Sequence, residues 1–354
     1  MSRRGIAALI AAFAVVILTG ALFLVPVPYG IFSPGPVCDA LAKPTSECPA
    51  LNATSLITVS PASADNPSTS RIGATTVNVR NGEPSIAEAA IAWFSADKAV
   101  VPREVVIPPG QDQDEILQQG AADMREAQSS AISVAESALG RLHVTVDSVQ
   151  PGLPAASALQ AGDLILSVNG TPITSRPQLL GLVAKNTDPA APFTFAIQRA
   201  GVTQNVTLTR VKNPAPNSSG LIFGFNMGVD TGDLKVNITL DPNAVGGPSA
   251  GLMLALSVYD RLTPGNLAGD AIVAGTGTID EAGNIGPIGG IQQKMYAARH
   301  SFKATAFLTP AADCADTKGA IPKGLRLVKV STFTDALNAM TAIREGNISS
   351  LPAC

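Results

Sequence analysis

Histidine is almost missing from this 354-residue chain, which has two, His143 and His300. A serine–histidine–aspartate arrangement is therefore poorly supplied, and His143 in a strand or His300 at a helix end reads as structural. No His-Glu-x-x-His pattern occurs, which removes the zinc peptidases, and no Gly-x-x-x-x-Gly-Lys-Ser/Thr loop occurs, which removes the nucleotide hydrolases. Charge is scarce too: Asp, Glu, Lys and Arg make up 14% of the residues, against about 25% in an ordinary domain. With 24 basic and 27 acidic side chains and no basic cluster, nucleic acid is not an expected partner. None of the four cysteines lies in a Cys-x-x-Cys pair, so neither a zinc site nor a dithiol redox site is expected. The sequence calls for no metal and no cofactor.

Alanine, glycine and proline fill the difference, and the length suffices for two or three domains with full cores. After Arg3 and Arg4 comes an uncharged run from Gly5 to Val25. As a helix it has the length of a bilayer core of roughly 30 Å. The expectation is a single-pass anchor at 5–25, with residues 1–4 cytoplasmic and everything after Pro26 extracytoplasmic, a cell-membrane protein. The alternative is a cleaved signal peptide, although no Ala-x-Ala site follows. Cys38, Cys48, Cys314 and Cys354 allow three pairings. Cys38 and Cys48 flank a short proline-containing loop, which leaves Cys314 with Cys354; free buried thiols are the alternative.

Residues 26–36 read as a stiff proline-rich stalk and 37–52 as a cysteine loop. Strands are expected at 55–62 and 75–80 from their β-branched residues. A short helix follows at 85–94, with Ser85 and Glu88 as a capping box. A longer helix at 114–139 carries Met124, Ala127, Ala131, Val134 and Ala138 at steps of three and four, a small-residue stripe suited to close packing. "VKNPAPNSSG" (211–220) has the composition of a linker. Asn-x-Ser/Thr triplets such as those at Asn52 and Asn237 fit threonine-rich strands better than glycosylation.

Between these helices and that linker, "GLPAASALQAGDLILSVNGTPI" runs from a proline turn through a short helix, a strand, an Asn169-Gly170 turn and another strand. It resembles the core of a PDZ domain over about 138–212. The resemblance implies a groove that takes a peptide's C-terminus as an added strand. It also implies a carboxylate-binding loop ahead of the first strand, for which Leu139, Gly140, Arg141 and Leu142 are the candidates. A PDZ fold kept as a spacer or dimer contact is the plainer reading.

The chemistry concentrates downstream. "GGPSAGLMLALSVYD" (246–260) places Ser249 where a glycine turn becomes an apolar run. Ser249 is either a helix N-cap or a nucleophile beside helix-start amides that stabilise an oxyanion. In "PIGGIQQKMYAARH", Lys294 shares a helix face with Ile291 and Ala298. On a buried face its charged form is disfavoured, and lowering its pKa to 7–8 costs roughly 4 kcal/mol and yields a base for a serine proton. A surface lysine with a snorkelling stem is the alternative. Taken together, "GGPSAGL", "GTGTID" and "GPIGGIQQK", with 45 positions between serine and lysine, resemble the proteolytic domain of Lon peptidases. The resemblance implies a Ser249–Lys294 dyad, with Thr276 contacting the lysine. It also implies an acidic residue three positions before the serine, where this chain has Gly246; Asp241 is an unproved substitute. The layout is similar to bacterial membrane-anchored PDZ–Lon-like proteins.

The expected fold is α+β: a transmembrane helix (5–25), a stalk and disulfide loop (26–54), and a β-rich PDZ domain with two helices (140–212). That domain is inserted in, or precedes, an α/β Lon-like domain. Residues 55–139 would form the Lon-like domain's first part, 213–220 a linker and 221–354 the remainder. The expected function is an ATP-independent serine endopeptidase acting on proteins or peptides, its PDZ domain capturing substrate or partner. A homo-oligomer is compatible with the sequence but not specified by it. The alternative is a membrane-tethered PDZ adaptor that holds partners without cutting them.

Overall fold

Three stretches of chain build two six-stranded sheets and three two-stranded ribbons. The computed structural model describes residues 3–354 apart from 52, 81 and 217, and in the first helix the side chains of residue 6 and of 9 onward. Asn52 and the Arg3 and Arg4 side chains, named above, lie outside the described residues. The first stretch holds α1 (Arg3–Leu24), β1 (Tyr29–Asp39), β2 (Ile57–Ser60), β3 (Arg71–Val79), α2 (Ile86–Trp93), β4 (Ala99–Pro102), α3 (Arg103–Val106) and α4 (Gln113–Ala138). The second holds β5 (His143–Val149), β6 (Leu164–Val168), β7 (Thr171–Pro172), α5 (Arg176–Ala184), β8 (Phe193–Arg199) and β9 (Val202–Leu208). It ends with β10 (Val211–Lys212), β11 (Leu221–Ile222) and β12 (Phe225–Asp230). The third holds β13 (Lys235–Ile238), α6 (Gly251–Leu262), β14 (Ile272–Gly275), β15 (Thr278–Ile279), β16 (Ile285–Gly286), α7 (Ile291–His300), β17 (Ala306–Pro310), β18 (Arg326–Val330) and α8 (Phe333–Arg344).

The first sheet has the order β18-β17-β14-β3-β1-β4, so the first and third stretches share it. β3 pairs in parallel with β14 from Arg71 to Ala74, and β2 pairs with β13. Successive strand residues face opposite ways. Val273, Leu308 and Val328 face a core with α4, α6 and α8, while Ala274, Phe307 and Leu327 face one with α7. α6 is buried almost all round, which explains its apolar run. α4 lies along it through Met124, Ala127, Ala131 and Val134, as the small-residue stripe implied. Ala135 is buried where Ala138 was expected to be.

The second sheet has the order β12-β5-β6-β8-β9 and packs against α5 around Phe193, Phe195 and Phe223. Its first and last residues, His143 and Asp230, are paired partners, so this stretch leaves α4 and enters β13 at one place. The segment 211–220 is accordingly no interdomain linker: β10 and β11 pair across it. Phe225–Asp230, expected in the second part of the Lon-like domain, completes the second sheet.

Two further expectations are corrected. The stalk at 26–36 is instead the start of β1, which pairs with both β3 and β4. Pro34 sits where the β1–β3 register shifts, before Val37, and a bulge tolerates a missing N–H. The transmembrane helix at 5–25 is not upheld either. No helix among the described residues is long and apolar enough to cross a membrane. The single-pass, cell-membrane placement drawn from it falls with it.

Both disulfides join the expected partners, Cys38 with Cys48 and Cys314 with Cys354.

Candidate active site

Ser249 stands on a short 3₁₀ turn, Pro248–Ala250, directly ahead of α6. Gly247 sets up the turn with a φ of 86°, and its N–H donates to the Gly120 carbonyl of α4 at 2.7 Å. Gly246 meets the same helix: a Cβ there would lie 3.3 Å from the Gly120 carbonyl carbon. α4 thus occupies the place where the resemblance puts an acidic side chain. Asp241 does not replace it, because its carboxylate is taken by the N–H and side-chain amide of Asn243. Nor is Ser249 a helix cap, since neither the turn nor α6 has a side-chain cap bond.

Its hydroxyl instead meets Lys294. The Lys294 Nζ lies 2.9 Å from Ser249 Oγ and 3.2 Å from Thr276 Oγ1. The Thr276 hydroxyl in turn donates to the Ser249 carbonyl at 3.0 Å, and the Gly277 N–H donates to the same carbonyl at 2.8 Å. The three residues expected from the sequence are therefore brought together. Thr276 follows β14, and Lys294 lies one turn into α7. That helix starts at Gly290 in the left-handed region, φ 68°, where a Cβ would sit 2.6 Å from a Val77 methyl. Only glycine fits both demands.

Lys294 is 3% exposed. Burial pulls its amine down from 10.5 to about 8, and the carboxylate of Asp313 opposes that fall. Asp313, 4% exposed, accepts the Ile288 N–H at 3.1 and 3.4 Å in the turn that leads into α7. Sequence reading missed it, since a lone Asp beside a cysteine carries no motif. His143 is exposed on β5 and His300 stacks on Tyr296, so neither histidine joins the site.

In front of the pair lies a cavity of about 580 Å³, walled by Val77, Val79, Met124, Val245 and Ile288; Lys294 is its one titratable lining residue among those described. One wall is an unused strand edge. β14 ends at Gly275 opposite Ala74, leaving Thr76–Val79 of β3 without a strand on that side among the described residues.

Comparison with known proteins finds two domain families in the chain, the first with wider N-terminal bounds than the sheet of β5 to β12. A model of the PDZ domain matches residues 70–209, and one of the Lon protease (S16) C-terminal proteolytic domain matches 231–342, which includes Ser249, Thr276 and Lys294. This chain carries a PDZ domain and a Lon-type proteolytic domain. The Lon protease of Campylobacter concisus (strain 13826) is 30% identical over 114 residues, 31% of this chain and 14% of that protein. The chain thus matches only a small part of that relative. Among solved structures, the PDZ domain of the SdrC-like protein from Listeria monocytogenes is 19% identical, with a TM-score of 0.22 over 24% of this chain and 85% of that one. A solution structure from Geobacillus thermodenitrificans is 30% identical, with a TM-score of 0.20 over 22% and 87%. At such TM-scores neither structure carries an argument.

The four residues suggested from the sequence for a peptide groove do not line the cavity found beside α5. A cavity of about 560 Å³ runs between α5 (Leu179, Leu180, Val183) and the segment from Leu221 to Met227. Leu139, Gly140, Arg141 and Leu142 do not line it. Leu139 ends α4, Gly140 turns with a φ of 64°, the Arg141 N–H donates to the Glu136 carbonyl, and Leu142 is buried. The physical reason is strand order: β5 is interior, and the edge strand beside α5 is β12. The loop ahead of β12, around Gly220–Gly224, takes the position expected of Leu139–Leu142. Its signal was the glycine-bracketed apolar run "GLIFGF", hidden behind a linker-like "NPAPNSSG".

Proposed function

We propose that this chain is an ATP-independent serine endopeptidase in which Ser249 is the nucleophile and Lys294 the general base. The observation that carries this reading is the 2.9 Å approach of a buried lysine amine to the Ser249 hydroxyl. An amine titrating near 8 is partly neutral at physiological pH, close to where a general base works best. Once neutral, it reverses the contact and accepts the hydroxyl proton as Ser249 Oγ attacks a peptide carbonyl. The Gly251 and Leu252 N–H groups are taken by the Pro248 and Gly277 carbonyls, which leaves the Ser249 N–H at the start of the turn as the candidate donor to the developing oxyanion. The lysine, now charged, protonates the leaving amine, and water then releases the acyl group from Ser249 with Lys294 again as base. Thr276 holds the amine from the other side and, through its bond to the Ser249 carbonyl, ties lysine and serine together.

The substrate would lie as an extended strand along Thr76–Val79, its backbone pairing with that open edge. The apolar cavity suits an aliphatic or aromatic side chain next to the scissile bond. The groove between α5 and β12 would hold a second peptide segment, ending at a carboxylate near Gly220–Gly224. The PDZ domain is read as an insertion in one Lon-like domain, which the β3–β14 pairing and the adjacent ends of the second sheet support. Two disulfides suit a compartment where thiols are oxidised.

The test is covalent trapping. An activated peptide ester with a leucine or phenylalanine at the cleaved position, quenched in acid, should leave an acyl group on Ser249 detectable by mass spectrometry. Acylation elsewhere, or equal acylation of Ser249→Ala, would overturn the reading.

A further inference from the structure

Four buried carboxyl groups lie outside the proposed dyad, and three have purely local work. Asp260 accepts from Ser68 and the Leu267 N–H, Asp163 accepts from Arg199 and the Gln160 N–H, and Glu136 faces Lys235 and Arg141. Asp313 differs. Its two oxygens share the Ile288 N–H, two residues before the Gly290 that starts α7, and Ile288 itself lines the cavity in front of Ser249.

We propose that Asp313 is the positioning residue for the general base, fixing the Pro287–Gly290 turn that aims Lys294 at Ser249 and supplying the one negative charge that acts on the amine. The inference rests on the reading of Lys294 as base. Geometry supports the first half. The turn has no slack, since Val77 crowds Gly290, and the part-buried N–H of Ile288 has Asp313 as its acceptor. Charge supports the second. Asp313 is the group whose field raises Lys294 against its burial, and Lys294 reciprocally lowers Asp313, which burial and Asp316 raise. The other elements packed on α7 add little. β1 brings Tyr29 and Asp39 and β3 brings Arg71, but Arg71 sits over Phe302 beyond the helix's end and faces Asp39. Asp313 also neighbours Cys314, whose bridge to Cys354 ties down its segment.

The device has a consequence. The site would leave the base less neutral at pH 7 than burial alone would make it, in exchange for a fixed approach geometry. Asp313→Asn keeps the shape and an acceptor oxygen for Ile288 but removes the charge. The Lys294 amine should then titrate lower, by about half a unit or more for a charge at this range. Asp313→Ala also removes the acceptor and frees the turn.

The experiment is competitive acetylation of the full-length protein from pH 6 to 10, read at Lys294 by mass spectrometry, beside kcat/KM profiles for a peptide substrate. For Asp313→Asn the account expects the Lys294 titration and the acid limb of kcat/KM to move down together, with kcat at pH 9 within about threefold of wild type. For Asp313→Ala it expects kcat to fall at least tenfold at every pH. An unmoved Lys294 titration in Asp313→Asn overturns the charge role, and unchanged kcat in Asp313→Ala overturns the positioning role. Acetylation reads the amine without turnover. A Lys294 that shifts in a protein whose Ser249→Ala variant still cleaves would therefore condemn the dyad while leaving Asp313's influence intact.

Discussion

Replacing Lys294 by methionine should stabilise this protein near neutral pH. The lysine titrates at about 8 in the fold against 10.5 free, a gap of 10.5 − 8, or about 2.5 units. At about 1.4 kcal/mol per unit, keeping it in the fold costs about 3 kcal/mol at pH 7. Its folded pKa is depressed, so between pH 8 and 10.5 the unfolded chain binds the extra proton and stability rises with pH. Below about 8 the penalty is full; above 10.5 it is gone. Methionine keeps the packed stem but forfeits the bonds to Ser249 and Thr276, worth about 2 kcal/mol between them. Thr276 still has its bond to the Ser249 carbonyl. The net expectation is a gain of about 1 kcal/mol at pH 7 that reverses to a loss by pH 10.5. Urea midpoints for both proteins at pH 7 and pH 10 measure it, since other titrating groups cancel in the difference. A methionine variant less stable at pH 7, or a difference that ignores pH, would refute the buried, depressed base.

Three further outcomes follow from packing and topology. Gly246→Asp, which restores the acidic residue implied by the Lon resemblance, should force α4 away from the catalytic turn. It should cost about 1–3 kcal/mol in thermal unfolding, and wild-type stability would show that Gly120 does not crowd the site. A fragment of 231–354 alone lacks β1, β3 and α4 and should be molten by near-UV circular dichroism, whereas replacing 143–230 by a short Gly/Ser link should leave a cooperative fold because His143 and Asp230 are paired. Cys354→Ser opens a 40-residue span and should cost about 4 kcal/mol in denaturant, against about 3 for Cys48→Ser with its span of 10.

The parts of this molecule legible in its sequence are those with a local signature. The capping box at Ser85 and Glu88 is present, and the α4 stripe was visible because small residues at helical spacing leave a pattern whatever they pack against. Ser249, Thr276 and Lys294 could be named because three glycine-punctuated motifs came in one order. What stayed hidden depends on contacts distant in sequence. β1 was obscured by prolines that a bulge accommodates, and β12 by the loop before it. Gly246 has meaning only beside Gly120, whose carbonyl takes the next amide. Asp313 has no motif at all, and its role exists only once β17 has delivered it to the turn before α7.

The most direct test of the account compares wild type, Ser249→Ala and Lys294→Arg on an unfolded protein substrate, without nucleotide, from pH 7 to 9. The account predicts that wild type cleaves, with a rate that rises with pH through about 8 as Lys294 loses its proton. Both variants should be at least 100-fold slower, the arginine because its guanidinium stays protonated. Cleavage by Ser249→Ala at the wild-type rate, or equal and negligible cleavage by all three proteins, would contradict it.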